Sequence, residues 1–228
     1  MISKCFVLLL GNRDDYTPEI FRVNFLENTQ NKEQNYFSLL IDDYRNFMQI
    51  GIAVSYQNCK QISEKHKSPN LSLIPMHTST RGALGTIGLA LDAIPNNQPL
   101  LIAPIDARLD LDLPNFVQKM EKDLVDCGII SFNSSDSIFS FLRVKENSVM
   151  EISEKQVISD VAISGFIYFR NKELLISCLE WSIMNNIQNN SLYYLSPALN
   201  YFVASNLKIV HHMVQIDCYN RLRIKREN

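Results

Sequence analysis

The stretch STRGALGTIGLALDAIPNNQPLLIAPIDARLDLD, residues 79–112, decides the fold. After a small-residue turn, Ala83, Leu84, Ile87, Ala90, Leu91 and Ile94 recur at the spacing of one helix face. PLLIAPI then gives a short continuous apolar run, the mark of a strand buried on both faces as in parallel sheets. Asp106 follows at the end of that strand. A helix followed by a buried strand that ends in a carboxylate is the order of an α/β unit whose ligand sits beyond the strand's carboxyl end. Taken alone, Asp106 is equally a turn former, because its short side chain bonds the backbone of tight turns.

The same texture extends in both directions. CFVLLL (5–10), GIAVSY (51–56), LSLIPM (71–76) and GIISFN (128–133) read as buried strands. Residues 24–35 read as a polar surface loop. Residues 36–48 read as a helix with Phe37, Leu40, Ile41, Tyr44 and Phe47 on one face, and residues 59–67 as a short polar helix. Asp112 and Pro114 open another helix, with Leu113, Phe116, Val117, Met120 and Leu124 inward. The pattern then changes: IFSFLRV and SVMEIS flank KEN as an antiparallel hairpin, and VAISGFIYF returns to a buried strand. Helices follow over 171–185 and 196–205, the second capped by Ser196 with Pro197 first, and a strand over 207–216 closes the series. The expected fold is α/β, three-layered, with a mostly parallel mixed sheet flanked by helices and a small antiparallel extension, in a single domain over 1–228.

Composition narrows the function classes. The 228 residues are 46% hydrophobic and 20% charged, with a formal net charge of -2, which gives no basic face for nucleic acid. RLRIKREN at 221–228 is too short to change that. The five cysteines (Cys5, Cys59, Cys127, Cys178, Cys218) are odd in number and scattered, as expected of reduced thiols in a cytoplasmic protein. No apolar run approaches a membrane span. His211 and His212 are neighbours on a strand and face opposite sides, so they cannot share a metal. Ser164 and Ser196 have no His–Asp arrangement around them.

Two carboxylates carry the chemistry. Asp106 and Asp217 each follow a strand, and together they can bracket a hard cation such as Mg²⁺ against phosphate oxygens. Asp217 is equally suited to cap a helix. Gly82, ahead of a helix, permits close approach of backbone to a ligand.

The order of these features resembles the nucleotidyltransferases of the sugar-nucleotide pyrophosphorylase type, which have a glycosyltransferase A-like fold. TRGALGTIGLALDAI (80–94) is similar to the segment whose backbone reads the nucleobase, which assigns nucleotide contacts to Thr80, Gly82 and Ala83. QPLLIAPIDARLD resembles the family's strand with a metal-binding aspartate, here Asp106. EISEKQVISDVAISGFIYF (151–169) resembles its acceptor segment, with Glu154, Lys155 and Gly165 as the contacts. SLYYLSPALNYFVASNLKIVHHMVQID is similar to its last helix and strand, ending in the second metal aspartate, Asp217. Of the family's phosphate loop, LGNR keeps Gly11 and Arg13.

The resemblance implies Mg²⁺-dependent transfer of a nucleotidyl group from an NTP to a phosphorylated sugar or alcohol, in surface-polysaccharide synthesis. Residues 1–133 would form the nucleotide-binding half and 134–228 the acceptor-binding half. Asp106, Asp217 and Arg13 would be catalytic, and homo-oligomers are common in the family. The first seventy residues depart from it. The phosphate loop is shortened, and YTPEIFRV places Glu19 where a lysine is usual, with Arg22 as a substitute cation. An anion there opposes a triphosphate. Two alternatives follow: an inactive homologue that binds nucleotide or sugar phosphate, and an A-type glycosyltransferase, the latter weakened because DAR lacks a second carboxylate.

Overall fold

A computed structural model of the chain describes residues 2–11, 16–27, 29–31, 34–146 and 148–222. In chain order, β1 (Ser3–Leu10) leads to the short α1 (Pro18–Phe21), which runs on as a wide π turn at Arg22–Glu27. A small ribbon, β2 (Thr29–Asn31) and β3 (Gln34–Asn35), precedes α2 (Tyr36–Asp43) and β4 (Phe47–Ser55). Then come α3 (Tyr56–Lys65), β5 (Leu71–Met76), α4 (Ala83–Ala90), β6 (Leu100–Pro104), β7 (Ala107–Leu109), α5 (Leu113–Lys122) and β8 (Cys127–Asn133). The hairpin is β9 (Ser140–Lys145) and β10 (Ser148–Ser153), followed by β11 (Val161–Phe169) and α6 (Lys172–Met184). Last are α7 (Leu195–Ala198), α8 (Asn200–Ala204), β12 (Ile209–Met213) and β13 (Tyr219–Arg221).

The large sheet runs β10-β9-β11-β6-β1-β4-β5, with β8 on β11 and β12 on β8. β1, β4, β5 and β6 are parallel, as are β8 and β12, whereas β11 is antiparallel to its partners. Period-2 side-chain alternation divides the core into two. Cys5, Val7 and Leu9 of β1 join one apolar cluster with α2, α3 and α5, and Phe6 and Leu8 join another with α4, α6 and α8. The sheet is thus the middle of three layers, as expected for strands that are apolar throughout. Pro75, which lacks an N–H, is tolerated because β5 is an edge strand.

Several local expectations change. Residues 24–35 are not a plain surface loop: Asn24, Phe25 and Leu26 are buried, and Phe25 stacks on Phe21 at 4.6 Å and edges Tyr16 and Tyr36. The helix expected to reach residue 48 ends at Asp43, and Phe47 opens β4 instead. Asp112 does cap α5, its side chain accepting from the Asn115 N–H at 3.1 Å, but α5 stops at Lys122. Leu124 then takes a left-handed φ of 52° and points to solvent. Residues 196–205 form two short helices, and Ser196 caps neither of them.

The half of the fold that carries the candidate cleft is set by β11. One edge of this strand pairs with β8 at both its ends, with a register shift between Ile163 and Ile167, and the other edge changes partner. Ala162 and Ile163 pair with β9, whereas Ile167, Tyr168 and Phe169 pair with β6. Between them Gly165 has φ +88°, where a Cβ would stand 3.3 Å from Pro104 Cγ. The sheet forks at this glycine, and a cleft lies in the fork.

Candidate functional site

The cleft has a volume of about 860 Å³. Its floor is the carboxyl ends of β1 and β6 (Leu10 and Ile102–Pro104) and the face of β11 around Gly165. Thr80, Gly82, Ala83 and Thr86 form one wall, and Glu154, Lys155, Tyr194 and Ser196 form the opposite one. Asp106 and Arg221 lie between. Thr80, Gly82, Ala83, Asp106, Glu154, Lys155 and Gly165 are therefore brought together from segments up to 85 residues apart in number. Two expected residues are not among the described residues that line it. Gly11 is packed beneath the sheet end, where a Cβ would meet Ile105 Cγ2 at 2.7 Å, and its N–H donates to the Ala53 carbonyl at 2.9 Å. Asp217 is exposed on the 3-10 turn Ile216–Cys218, beyond the end of β12. Arg13 lies outside the described residues.

The Thr80–Thr86 wall is built by backbone. Gly82 holds φ +87° and ψ -176°, a region essentially restricted to glycine. Its position is fixed by a strand-like contact: the Tyr193 N–H donates to the Arg81 carbonyl at 2.9 Å, and the Leu84 N–H donates to the Tyr193 carbonyl at 3.1 Å. A Cβ on Gly82 would lie 2.4 Å from that carbonyl oxygen. The glycine thus lets the wall's two halves meet. Thr80 and Thr86 hydroxyls are joined at 2.7 Å over the first turn of α4.

On the opposite wall, the hydroxyls of Ser140 and Ser196 both donate to Glu154 Oε2 and lie 2.8 Å from each other. This contact, rather than capping, is the role of Ser196. Lys155 takes a left-handed φ of 53°, a costly conformation for a lysine, and its ammonium lies 5.1 Å from the Tyr194 ring centroid. Such strain concentrates at functional sites. Ser140 and Tyr194 carry no local mark of a site in the sequence, and Ser196 reads there only as a helix cap.

At the centre, Asp106 Oδ2 accepts from Arg221 Nε at 3.3 Å and Nη2 at 3.2 Å. The Asp106 side chain is 8% exposed and that of Arg221 39%. The backbone enforces the pair: β13 runs antiparallel to β7 with Arg221 opposite Ala107, and the Leu222 N–H donates to the Asp106 carbonyl at 2.7 Å. One residue further, Arg108 makes a two-pronged contact to Asp43, at 2.6 Å from Nε and 2.7 Å from Nη2, and this ties β7 to α2. Burial, with the Asp106 charge adding to it, holds the Tyr36 hydroxyl above the usual tyrosine range. Burial likewise lifts Tyr219 to about 12, against the pull of the Arg221 cation.

This arrangement does not suit the Mg²⁺ expected on Asp106 and Asp217. Asp106 already holds a guanidinium, Asp217 does not line the cleft, and no group of three metal-ligating side chains occurs among the described residues. Arg22, the expected substitute cation, does not line the cleft. It contacts Glu27 at 2.9 Å through both carboxylate oxygens, and Glu19 at 3.4 Å, away from the cleft.

Among solved structures, the nucleoside-diphosphate-sugar pyrophosphorylase of Vibrio cholerae RC9 superposes with a TM-score of 0.75 over 95% of each chain, at 17% identity. The chain has the fold of the sugar nucleotidyltransferases. A Bacillus anthracis protein assigned as a glucose-1-phosphate thymidylyltransferase, solved in complex with sucrose, shares this sugar-nucleotidyltransferase fold. It superposes with a TM-score of 0.69 over 93% of this chain and 87% of its own, at 12% identity. No family model and no curated protein matches the sequence. No helix among the described residues is long and apolar enough to cross a membrane.

Proposed function

We propose that the chain is a divergent nucleotidyltransferase that moves an NMP group from an NTP onto a phosphorylated sugar or alcohol in the cytoplasm, to supply surface-polysaccharide synthesis. The observation that carries this reading is a single cleft with the Thr80–Thr86 wall on one side and the Glu154–Lys155 wall on the other, with the Asp106–Arg221 pair between them. A cavity of about 860 Å³ falls in the range of sites for molecules the size of a nucleotide joined to a sugar.

In the proposed reaction a phosphate oxygen of the acceptor attacks the α-phosphorus in line. The bond to the β-phosphate breaks, and its electrons leave on pyrophosphate. The chain's contribution is positioning and charge. The Thr80–Ala83 backbone faces the base, and Glu154, oriented by Ser140 and Ser196, accepts from acceptor hydroxyls. Lys155 and Arg221 lie toward the phosphates. The Glu154 carboxylate is well suited to polyhydroxyl recognition, because both serine hydroxyls fall on Oε2.

The second reading, a homologue that binds nucleotide or sugar phosphate without transfer, is favoured by one observation. Arg22, the expected substitute for the usual lysine, is spent on the surface carboxylates of Glu27 and Glu19. Incubating the protein with each of the four common NTPs and a set of hexose 1-phosphates, and following pyrophosphate release, separates the two. Release with one pair, lost in Asp106→Ala and Glu154→Gln, supports transfer. Thermal stabilisation by a nucleotide without release in any pair favours the binding reading, and neither effect with any compound refutes both.

A further inference from the structure

Much of the cleft around Glu154 is apolar: Ile138, Ile163, Leu192 and Leu195 line it together with the carboxylate. Ile163 stands opposite Ser140 where β9 pairs with β11, and Leu195 precedes Ser196, so both flank the two hydroxyls that hold Glu154. We propose that the acceptor is a phosphorylated sugar bearing a methyl group, and that Ile138 selects it. The inference rests on the nucleotidyltransferase reading above and narrows the acceptor of that same site.

Exposure and anchoring single out Ile138. It is 54% exposed, and no other large apolar residue that lines the cleft is so open to water among the described residues. A lone exposed isoleucine is ordinary on an open surface, but this one is held over a cavity. Its N–H donates to Asp136 Oδ1 at 3.1 Å, and the Phe139 N–H donates to the Asp136 carbonyl at 3.1 Å. Phe139 in turn packs edge-on to Phe132 at 5.0 Å and to Tyr219 at 6.0 Å. The segment is thus pinned on either side of Ile138, which its own chain leaves uncovered. Hydrogen bonding sets what suits the rest of the wall. The Ser140 and Ser196 hydroxyls have one proton each, and both go to Glu154 Oε2, while no described residue donates to Oε1. Glu154 is therefore left to accept from a ligand hydroxyl or N–H, and Lys155, 3.5 Å from the Tyr194 hydroxyl, to donate to a ligand oxygen. Ile138 offers neither. A ligand hydroxyl set against it would lose water and gain no partner, whereas a methyl group there takes apolar surface on both sides out of water.

The test is isothermal titration of the full chain with sugar 1-phosphates in matched pairs, in Mg²⁺ and with the α,β-methylene analogue of UTP, CTP, GTP or dTTP present so that no transfer occurs. One pair is the hexose 1-phosphate and its 6-deoxy form; the other is the N-formyl and N-acetyl hexosamine 1-phosphates. Both pairs are taken in the gluco and galacto series. In one pair the methyl-bearing member is expected to bind about fourfold to tenfold tighter than its partner, and that pair tells which methyl is read. Ile138→Ser should bring this preference below about twofold and leave the affinity of the methyl-free member unchanged. A purely structural role would weaken both members alike. Equal binding within every pair overturns the inference and leaves the nucleotidyltransferase reading standing. A preference that survives Ile138→Ser does the same. Binding of a nucleotide analogue with every sugar phosphate failing overturns both the inference and transfer to a sugar, and no binding of any probe overturns the nucleotide reading as well. The comparison within pairs uses the natural chain, so it stands even where the variant fails to fold.

Discussion

Replacing Gly82 by alanine tests the account of the cleft wall at its narrowest point. The backbone there lies at φ +87° and ψ -176°, and holding a residue with a Cβ in such a region costs on the order of 1–3 kcal/mol. The new Cβ would also lie 2.4 Å from the Tyr193 carbonyl oxygen, which is backbone and cannot swing aside. Relieving that contact separates residues 81–84 from Tyr193 and breaks two hydrogen bonds, at 2.9 and 3.1 Å. Each is worth about 0.5–1.5 kcal/mol, so the whole loss is about 2–6 kcal/mol. Against a typical domain stability of about 5–15 kcal/mol this is large, and urea unfolding followed by circular dichroism resolves it. Gly88→Ala is the matched control. Its Cβ would meet only Leu179 Cδ1, at an ordinary 3.6 Å, within α4. It should gain about 0.5–1 kcal/mol, the helix preference of alanine over glycine. A Gly82→Ala protein within about 1 kcal/mol of the natural chain would refute the described wall.

Three further outcomes follow from the same structure. A double-mutant cycle on Arg108 and Asp43 should give a coupling of about 1–2 kcal/mol, above that of exposed pairs because the contact is two-pronged and three-quarters covered; a coupling below about 0.5 kcal/mol would contradict the geometry. Burial holds His66, His211 and His212 below the ordinary histidine value of 6.5, with Lys65, His212 and Lys119 respectively adding to it. Below 6.5 the unfolded chain binds protons that the folded chain refuses, so stability is full above that pH and is lost as pH falls; His211→Gln should flatten the slope of urea midpoint against pH, and an unchanged slope would count against its burial. Burial lifts the thiols of Cys59 to about 11 and Cys178 to about 12, and those of Cys5 and Cys127 well above the usual range, whereas Cys218 is half-buried. Iodoacetamide under native conditions should label Cys218 first by mass spectrometry, and earlier labelling of any other cysteine would be the contrary result.

The parts of this fold that were legible in sequence are those fixed by local periodicity. VAISGFIYF and LSLIPM match their strands residue for residue, because an apolar run bounded by polar turns has one way to be buried. Asp112 with Pro114 marked a helix start for the same reason, as the cap is made within one turn. What escaped reading depends on distant partners. Phe25 lies in a polar stretch and is drawn inward by Tyr16, Phe21 and Tyr36. Ser196 before Pro197 looks like a cap, yet its hydroxyl goes to Glu154, 42 residues away. The segment after His212 reads as one continuing strand, but the chain turns at Ile216–Cys218 and pairs three residues with β7. No nearby residue signals that pairing, so the local pattern marks Asp217 and not Arg221, which lines the cleft. The Thr80–Thr86 wall and the Glu154–Lys155 part of the opposite wall were legible because each is a contiguous segment; Tyr194, Ser196 and the charged centre were not, because they are joined to the site from distant segments.

That join also orders events in time. Asp106 and Arg221 are 115 residues apart, and the guanidinium arrives on one of the last described strands to be synthesised. During synthesis β1, β4, β5 and β6 are available to pair well before β13 leaves the ribosome, since translation adds only about 5–20 residues per second. Until then the buried Asp106 carboxylate lacks the Arg221 guanidinium that accompanies it in the finished fold. A nascent chain stalled before residue 219 would thus hold most of its sheet and none of its arginine, and ligand capture would trail the collapse of the core.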